Sequence, residues 1–370
     1  MSGQPAMQKF SEKPILVFWE TTRACLLACK HCRASAQESP LPGELPTGQV
    51  ERLLRQIHGF GRPPPVVIFT GGDPMLRPDL FHLLRYAQTL GLPTAVSPAV
   101  TSLLTREALQ DFRSSGVRAV SFSIDGANRF THDKIRGLDG TFQKSIELLE
   151  EANELGLNMQ INTTVMQSNL RELPDIFHLV KESRVRNWEV FFLIQAGRAP
   201  GAEDLTPQEC EAVCNFLYDA SSYGITIRPI EAPFSRRVAS ERASGMPVSR
   251  DALYDYMRAR MLELEGPNEG PPRSSSAGTL DGDGILFVGF DGTVTPGGFL
   301  PIPIGNIMEE SLTSLYRQND LLIKIRNRQL SGKCGICSFK AICGGSRARA
   351  YASTGDPLAS DPGCVYDVVT

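Results

Sequence analysis

No stretch of this 370-residue chain reaches the roughly 18 consecutive apolar residues that a membrane-spanning helix needs. Its first residues, MSGQPAMQKFSEKP, also lack the basic n-region followed by an apolar h-region of a secretory leader. A cytoplasmic protein with no membrane partner is therefore expected. An excess of one charge is missing as well: 38 Lys and Arg stand against 41 Asp and Glu, for a formal net charge of -3. That balance leaves no electrostatic footprint for nucleic acid or an anionic lipid surface. Nor is there an internal repeat of the kind that builds a solenoid. What remains is an ordinary globular composition, 41% hydrophobic and 21% charged, enough for a substantial core and against wholesale disorder. The length suits one large lobe and a smaller one.

Cysteine is plentiful, with nine in the chain. In a reducing compartment, tight cysteine groups point to metal binding rather than to disulfides. Cys25, Cys29 and Cys32 form C-x3-C-x2-C, and Cys334, Cys337, Cys343 and Cys364 form C-x2-C-x5-C-x20-C. Cys210 and Cys214, four apart on an expected helix, read as buried core thiols.

Between residues 14 and about 195, short apolar runs alternate with amphipathic stretches six times. The runs ILVFW (15–19), VVIF (66–69), TAVS (94–97), AVSFSI (119–124), MQINTTV (159–165) and WEVFFLI (188–194) predict strands. Helical patterns lie between them, with Gly91, Gly116 and Gly156 placed as C-terminal stops. Continuous apolar strands alternating with helices imply a parallel sheet covered by helices, in either a partial barrel or an open doubly wound sheet. In both, the reactive face lies at the C-terminal ends of the strands. The first cysteine group, Gly71-Gly72-Asp73-Pro74 and Ser123-Ile124-Asp125 all fall there. A helix over 207–223 and a strand over 225–230 predict a seventh unit. Residues 231–280, with the Pro/Gly/Ser-rich 266–278, read as a linker or substrate-covering segment. The run 284–290, Asp291-Gly292 and 293–296 predict a β-hairpin, which opens a small second domain over 281–370; residues 1–13 form a tail.

The first cysteine group supplies three thiolates, whereas a structural zinc site closes with four ligands. Three thiolates on a four-iron cluster leave one iron free for an exchangeable ligand. By ligand count alone the second group accommodates zinc or a fully ligated cluster.

At TTRACLLACKHC (21–32) the chain resembles the radical S-adenosylmethionine (SAM) superfamily, whose CxxxCxxC loop follows the first strand. The resemblance implies a partial (βα)6 TIM-like barrel over 14–230 and a 4Fe-4S cluster on Cys25, Cys29 and Cys32. In that family SAM binds the open iron, and its reductive cleavage yields a 5′-deoxyadenosyl radical that abstracts hydrogen from substrate. Gly71, Gly72, Asp73 and Pro74 resemble the segment that holds the SAM ammonium, with Asp in place of Glu. Ser123 and Asp125 resemble the family's SxD contacts to SAM, and Arg136 stands where relatives hold the SAM carboxylate. Asn162, on one face of the fifth strand with Thr164, is a further candidate for SAM or substrate.

The C-terminal spacing resembles the SPASM extension, a small α+β iron-sulfur domain, and implies an auxiliary 4Fe-4S cluster on Cys334, Cys337, Cys343 and Cys364. A second auxiliary cluster is not expected, because Gly297, Gly298 and Ser346 stand where cysteines would be. The run CGGSRARA (343–350) resembles the tetrapyrrole subgroup of alternative haem and denitrifying haem biosynthesis, where Arg347 and Arg349 are candidates for substrate carboxylates. The resemblance thus implies a tetrapyrrole or a ribosomally made peptide as substrate and a flavodoxin- or ferredoxin-type electron donor. The rival of another class is a non-catalytic iron-sulfur electron carrier or redox sensor.

Overall fold

The computed structural model describes residues 10–248, 251–268, 270–273 and 278–368. Most of the chain wraps one twisted sheet into a partial barrel. Strands β1 (Leu16–Glu20), β2 (Val66–Thr70), β3 (Thr94–Val96), β4 (Ala119–Ser123), β5 (Met159–Val165), β6 (Asn187–Phe192) and β7 (Thr226–Ile230) pair in parallel in that order. The helices between them are α1 (Thr47–His58), α2 (Leu80–Thr89), α3 (Arg106–Ser114), α4 (Arg129–Arg136), α5 (Thr141–Glu154), α6 (Leu173–Glu182) and α7 (Pro207–Ala220).

Alternation along each strand decides what faces what. Val17, Trp19, Val67, Phe69, Val120, Phe122, Ile161, Val165, Trp188, Val190 and Ile227 are buried in one core with α1–α3 and α5–α7. Their neighbours, among them Phe18, Ile68, Ser123, Asn162, Glu189 and Arg228, point the other way, to the concave face, and remain half-buried or exposed. Gly91, Gly116 and Gly156 each take positive φ just past a helix end, the conformation for which glycine is suited there. Cys210 and Cys214 are buried in this core.

The hairpin assigned from sequence to a second domain continues the same sheet. After the short β8 (Leu280–Asp281), β9 (Gly284–Val288) lies parallel to β1, with Leu16 opposite Ile285, and β10 (Thr293–Thr295) and β11 (Gly305–Asn306) follow antiparallel. Arg33 ties the lobes together, with its guanidinium 4.4 Å above the Phe287 ring and a bond to the Gly298 carbonyl. The expected linker also differs. Residues 231–280 carry α8 (Ser235–Ala243) and α9 (Ala252–Glu265). The N-cap of α9 is Asp251, and the helix packs on α6 and α7 through buried Tyr254, Met257 and Met261. Part of the Pro/Gly/Ser-rich run, residues 269 and 274–277, lies outside the described residues.

Candidate active site and metal centres

Because β1 and β2 pair to their last residues, Glu20 opposite Thr70, their outgoing loops leave side by side. The two loops then zip together through backbone bonds, from Thr21 N–H to the Thr70 carbonyl, Gly72 N–H to Thr22, and Asp73 N–H to Ala24, each 2.7 Å. The glycines are required here. A Cβ on Gly71 would lie 2.5 Å from the Thr22 carbonyl oxygen, and one on Gly72 would lie 2.1 Å from that of Ala24. The glycines of the segment expected at the SAM ammonium thus admit the cysteine loop itself.

Asp73 is fully buried. Its carboxylate accepts from Met75 N–H (3.1 Å), Ala99 N–H (3.2 Å) and Thr101 Oγ1 (3.3 Å), capping a short turn. Burial holds its carboxyl above the ordinary value. The side chain expected at an ammonium ion therefore organises the loop, while the half-buried backbone of Gly71 and Gly72 borders the concave face.

Asp125, at the end of β4, is the hub of the cysteine loop. It is 1% exposed and accepts from His31 Nε2 (3.0 Å), Arg136 Nη1 (3.2 Å) and Thr164 N–H (2.8 Å). His31 lies inside the cysteine motif, and Arg136 ends α4, a helix absent from the sequence reading, N-capped by Asn128 and closed by Gly137 at φ 73°. Burial pushes the Asp125 carboxyl up, but His31 and Arg136 outweigh it and hold the group well below the ordinary carboxylate range. Ser123 and Asn162 lie opposite each other on β4 and β5, half-buried at the concave face.

His132 is buried beside this hub and must stay neutral, since its Nδ1 accepts the Asp125 N–H at 3.1 Å. Burial lowers it to about 4. A depressed imidazole contributes stability that is fully present above its ordinary value near 6.5 and is withdrawn as pH falls towards about 4. The fold is therefore expected to lose about 3 kcal/mol across that window. His132→Asn should flatten a plot of unfolding free energy against pH; an unchanged slope would remove His132 as the cause.

A residue that sequence reading missed completes the loop. Arg198, beyond β6, donates from Nε to the Cys29 carbonyl (3.1 Å) and from Nη1 to that of Ala36 (3.1 Å). Gly197 before it takes φ 60°, and a Cβ there would lie 2.3 Å from the Cys32 carbonyl oxygen. No motif marks either residue; the contact spans over 160 positions.

The thiols themselves suit metal ligation better than nucleophilic chemistry. Burial raises Cys25 to about 11 and Cys343 to about 12, and raises Cys29 and Cys364 as well. Such thiols are inert until a cation stabilises the thiolate. Backbone N–H groups already point at the sulfurs, from Leu27 to Cys25, Phe339 to Cys337, Gly345 to Cys343 and Asp361 to Cys334, each 3.4 Å. Hydrogen bonds to sulfur are one of the levers that tune an iron-sulfur cluster. Cys334, Cys337, Cys343 and Cys364 line one cleft together with Gly344 and Gly345, and four thiols at one site are the donor set of a fully ligated iron-sulfur cluster. Among the described residues, no three thiol, imidazole or carboxylate groups converge at single-ion range.

Beside that cleft, Ser346 and Arg349 join Glu231 and Asp361 in a buried polar network. Ser346 Oγ donates to Glu231 (2.5 Å), its N–H to Asp361 (2.7 Å), and Arg349 donates to the Glu231 carbonyl (2.8 Å). A Cβ on Gly297 would strike the Asp281 carboxylate at 1.7 Å. Arg347 and Arg349, candidates for substrate carboxylates, are 2% and 6% exposed, with Arg347 holding the Pro357 and Ala359 carbonyls. That expectation is corrected: both guanidiniums are buried and bonded to backbone carbonyls inside the protein, with Arg347 Nη2 left without a partner.

Residues 19–180 match the Radical SAM superfamily. Over 358 residues the chain is 37% identical to the AdoMet-dependent heme synthase of Oleidesulfovibrio alaskensis, covering 95% of this chain and 87% of that one. It is 34% identical to the AdoMet-dependent heme synthase of Methanosarcina barkeri, covering 97% and 99%. In fold it matches Streptococcus suis SuiB bound to S-adenosylmethionine, with TM-score 0.67 at 15% identity over 95% of this chain and 77% of that one. No helix among the described residues is long and apolar enough to cross a membrane. The chain belongs to the radical SAM superfamily, enzymes that use a 4Fe-4S cluster and S-adenosylmethionine.

Proposed function

We propose that this enzyme acts on a tetrapyrrole, removing carboxyl groups from propionate side chains in haem-type biosynthesis. The observation that carries this reading is the 37% identity to a heme synthase along nearly the whole chain. The concave face supports it, offering aromatic surface beside a polar row: Phe191 lies 6.2 Å from Phe299, with Asn162 and Glu189 on the neighbouring positions. A flat ring carrying polar arms needs both kinds of surface.

In this reading Cys25, Cys29 and Cys32 hold the 4Fe-4S cluster, and the backbone of Gly71, Gly72, Asp73 and Pro74 together with Ser123 and Asn162 faces SAM. Bound together, cluster and SAM supply a 5′-deoxyadenosyl radical for hydrogen abstraction. The protein's own part is positional. Asp125, through His31 and Arg136, holds the cysteine loop against the strand ends, and Arg198 clamps its far side. The carboxylates of Asp73 and Asp125 act through these contacts. Turning a propionate into a vinyl group removes one hydrogen atom and CO2 and leaves one electron over. Cys334, Cys337, Cys343 and Cys364, in a lobe over 281–370, would hold an auxiliary 4Fe-4S cluster able to take that electron. A flavodoxin- or ferredoxin-type protein would supply the electron that starts each turnover.

The test is anaerobic incubation of reconstituted, reduced protein with SAM and Fe-coproporphyrin III. Products lighter by CO2 and two hydrogens for each propionate converted, formed with 5′-deoxyadenosine, are expected. Formation of 5′-deoxyadenosine with the porphyrin unchanged would contradict the tetrapyrrole assignment and favour a peptide substrate.

A further inference from the structure

One row of side chains crosses the concave face on four successive strands. Ser123 on β4 lies opposite Asn162 on β5, Asn162 opposite Glu189 on β6, and Glu189 opposite Arg228 on β7. Residues opposite one another in a sheet share a face, and Ile227, adjacent to Arg228, is buried on the other side among the helices. All four therefore point into the concave face. The row begins at a proposed SAM contact and ends on the last strand of the parallel barrel sheet. Three strand spacings separate its ends, about 14 Å, comparable with the width of a porphyrin bearing propionate arms.

Arg228 differs from three buried arginines around the site. Arg136, Arg347 and Arg349 are buried and bonded within the protein. The Arg228 side chain is 56% exposed, and among the described residues its hydrogen bond is a single 3.3 Å contact from Nη1 to Glu189 Oε1. Glu189 is held in turn at 17% side-chain exposure, while Gln160 on the same face bonds to Asn162 at 2.8 Å. One carboxylate thus holds the guanidinium and leaves its other donors exposed. A guanidinium fork with free donors suits a carboxylate bidentately.

We propose that Arg228 is the anchor for a substrate carboxylate remote from the reacting carbon, with Glu189 positioning it. This rests on the tetrapyrrole reading, in which a substrate carries several propionates around one ring: one lies near Ser123 and Asn162, and another reaches Arg228. The ring between them lies over Phe191, which is two residues beyond Glu189 on β6 and so on the same face, and Phe299.

Binding of Fe-coproporphyrin III to the reconstituted enzyme, followed by its absorbance, tests the anchor. Arg228→Gln is expected to raise Kd roughly 10- to 100-fold, the worth of a hydrogen-bonded charge. Arg228→Lys should recover part of it, because an ammonium keeps the charge without the fork. The tetramethyl ester of the same porphyrin should bind the wild type more weakly than the acid, and this acid-to-ester ratio should shrink at least tenfold in Arg228→Gln. Equal acid binding by wild type and Arg228→Gln, or equal wild-type binding of acid and ester, would overturn the anchor alone. Failure of the wild type to bind the porphyrin at all would overturn the tetrapyrrole reading and the anchor with it.

Discussion

Cys29→Ser is expected to abolish 5′-deoxyadenosine formation and to lower the iron content by about four per chain. Cys29 is 8% exposed, its carbonyl is held by Arg198, and Lys30 N–H bonds to the Ile135 carbonyl at the end of α4. The backbone is therefore fixed by contacts that a serine would leave intact, and the loss falls on the ligand. Losing only an outer partner of a metal ligand costs roughly 10- to 100-fold, so removing one of three thiolates should cost more than that. Iron analysis and quantification of 5′-deoxyadenosine check the result on the same sample. A variant with full iron and wild-type cleavage would remove Cys29 from the ligand set.

Asp125→Asn should be nearly as damaging although Asp125 touches no proposed ligand. The substitution keeps shape and one acceptor for Thr164 N–H but leaves Arg136 buried with no counter-charge. Removing one member of a buried ion pair costs about 3–5 kcal/mol. Because the Asp125 carboxyl is held below the ordinary carboxylate range, its contribution is present above pH about 4. It is lost only as pH falls through the depressed folded-state value. The cost of the substitution should therefore be flat between pH 5 and 8, unlike that of His132. Denaturant unfolding of wild type and variant at several pH values checks this, and a cost under about 1 kcal/mol would be only that of a surface ion pair.

The alternation of strands and helices was legible because a parallel sheet covered by helices writes continuous apolar strands and helical periodicity into the chain. Helices α4 and α8 were not, because short, charge-rich helices show few apolar positions, and α9 adjoins the Pro/Gly/Ser-rich run that reads as a linker; the caps Asn128 of α4 and Asp251 of α9 became meaningful only with a helix behind them. The cysteines were legible since ligand identity and spacing are local properties. The roles of charged groups were not. Arg347 and Arg349 look like ligand-binding residues in one dimension, yet they close the C-terminal lobe from within. Asp73 reads as a ligand carboxylate and caps a turn. Arg228 carries no motif, and its place in a row with Ser123, Asn162 and Glu189 arises from strand register, which links residues over a hundred positions apart.

The central claim is that this chain starts radical chemistry on a tetrapyrrole propionate, and isotope transfer tests it most directly. With Fe-coproporphyrin III deuterated on the propionate methylene next to the ring, reduced enzyme and SAM should yield 5′-deoxyadenosine one mass unit heavier, in step with loss of CO2 from the porphyrin. Unlabelled 5′-deoxyadenosine accompanying an intact porphyrin would contradict it.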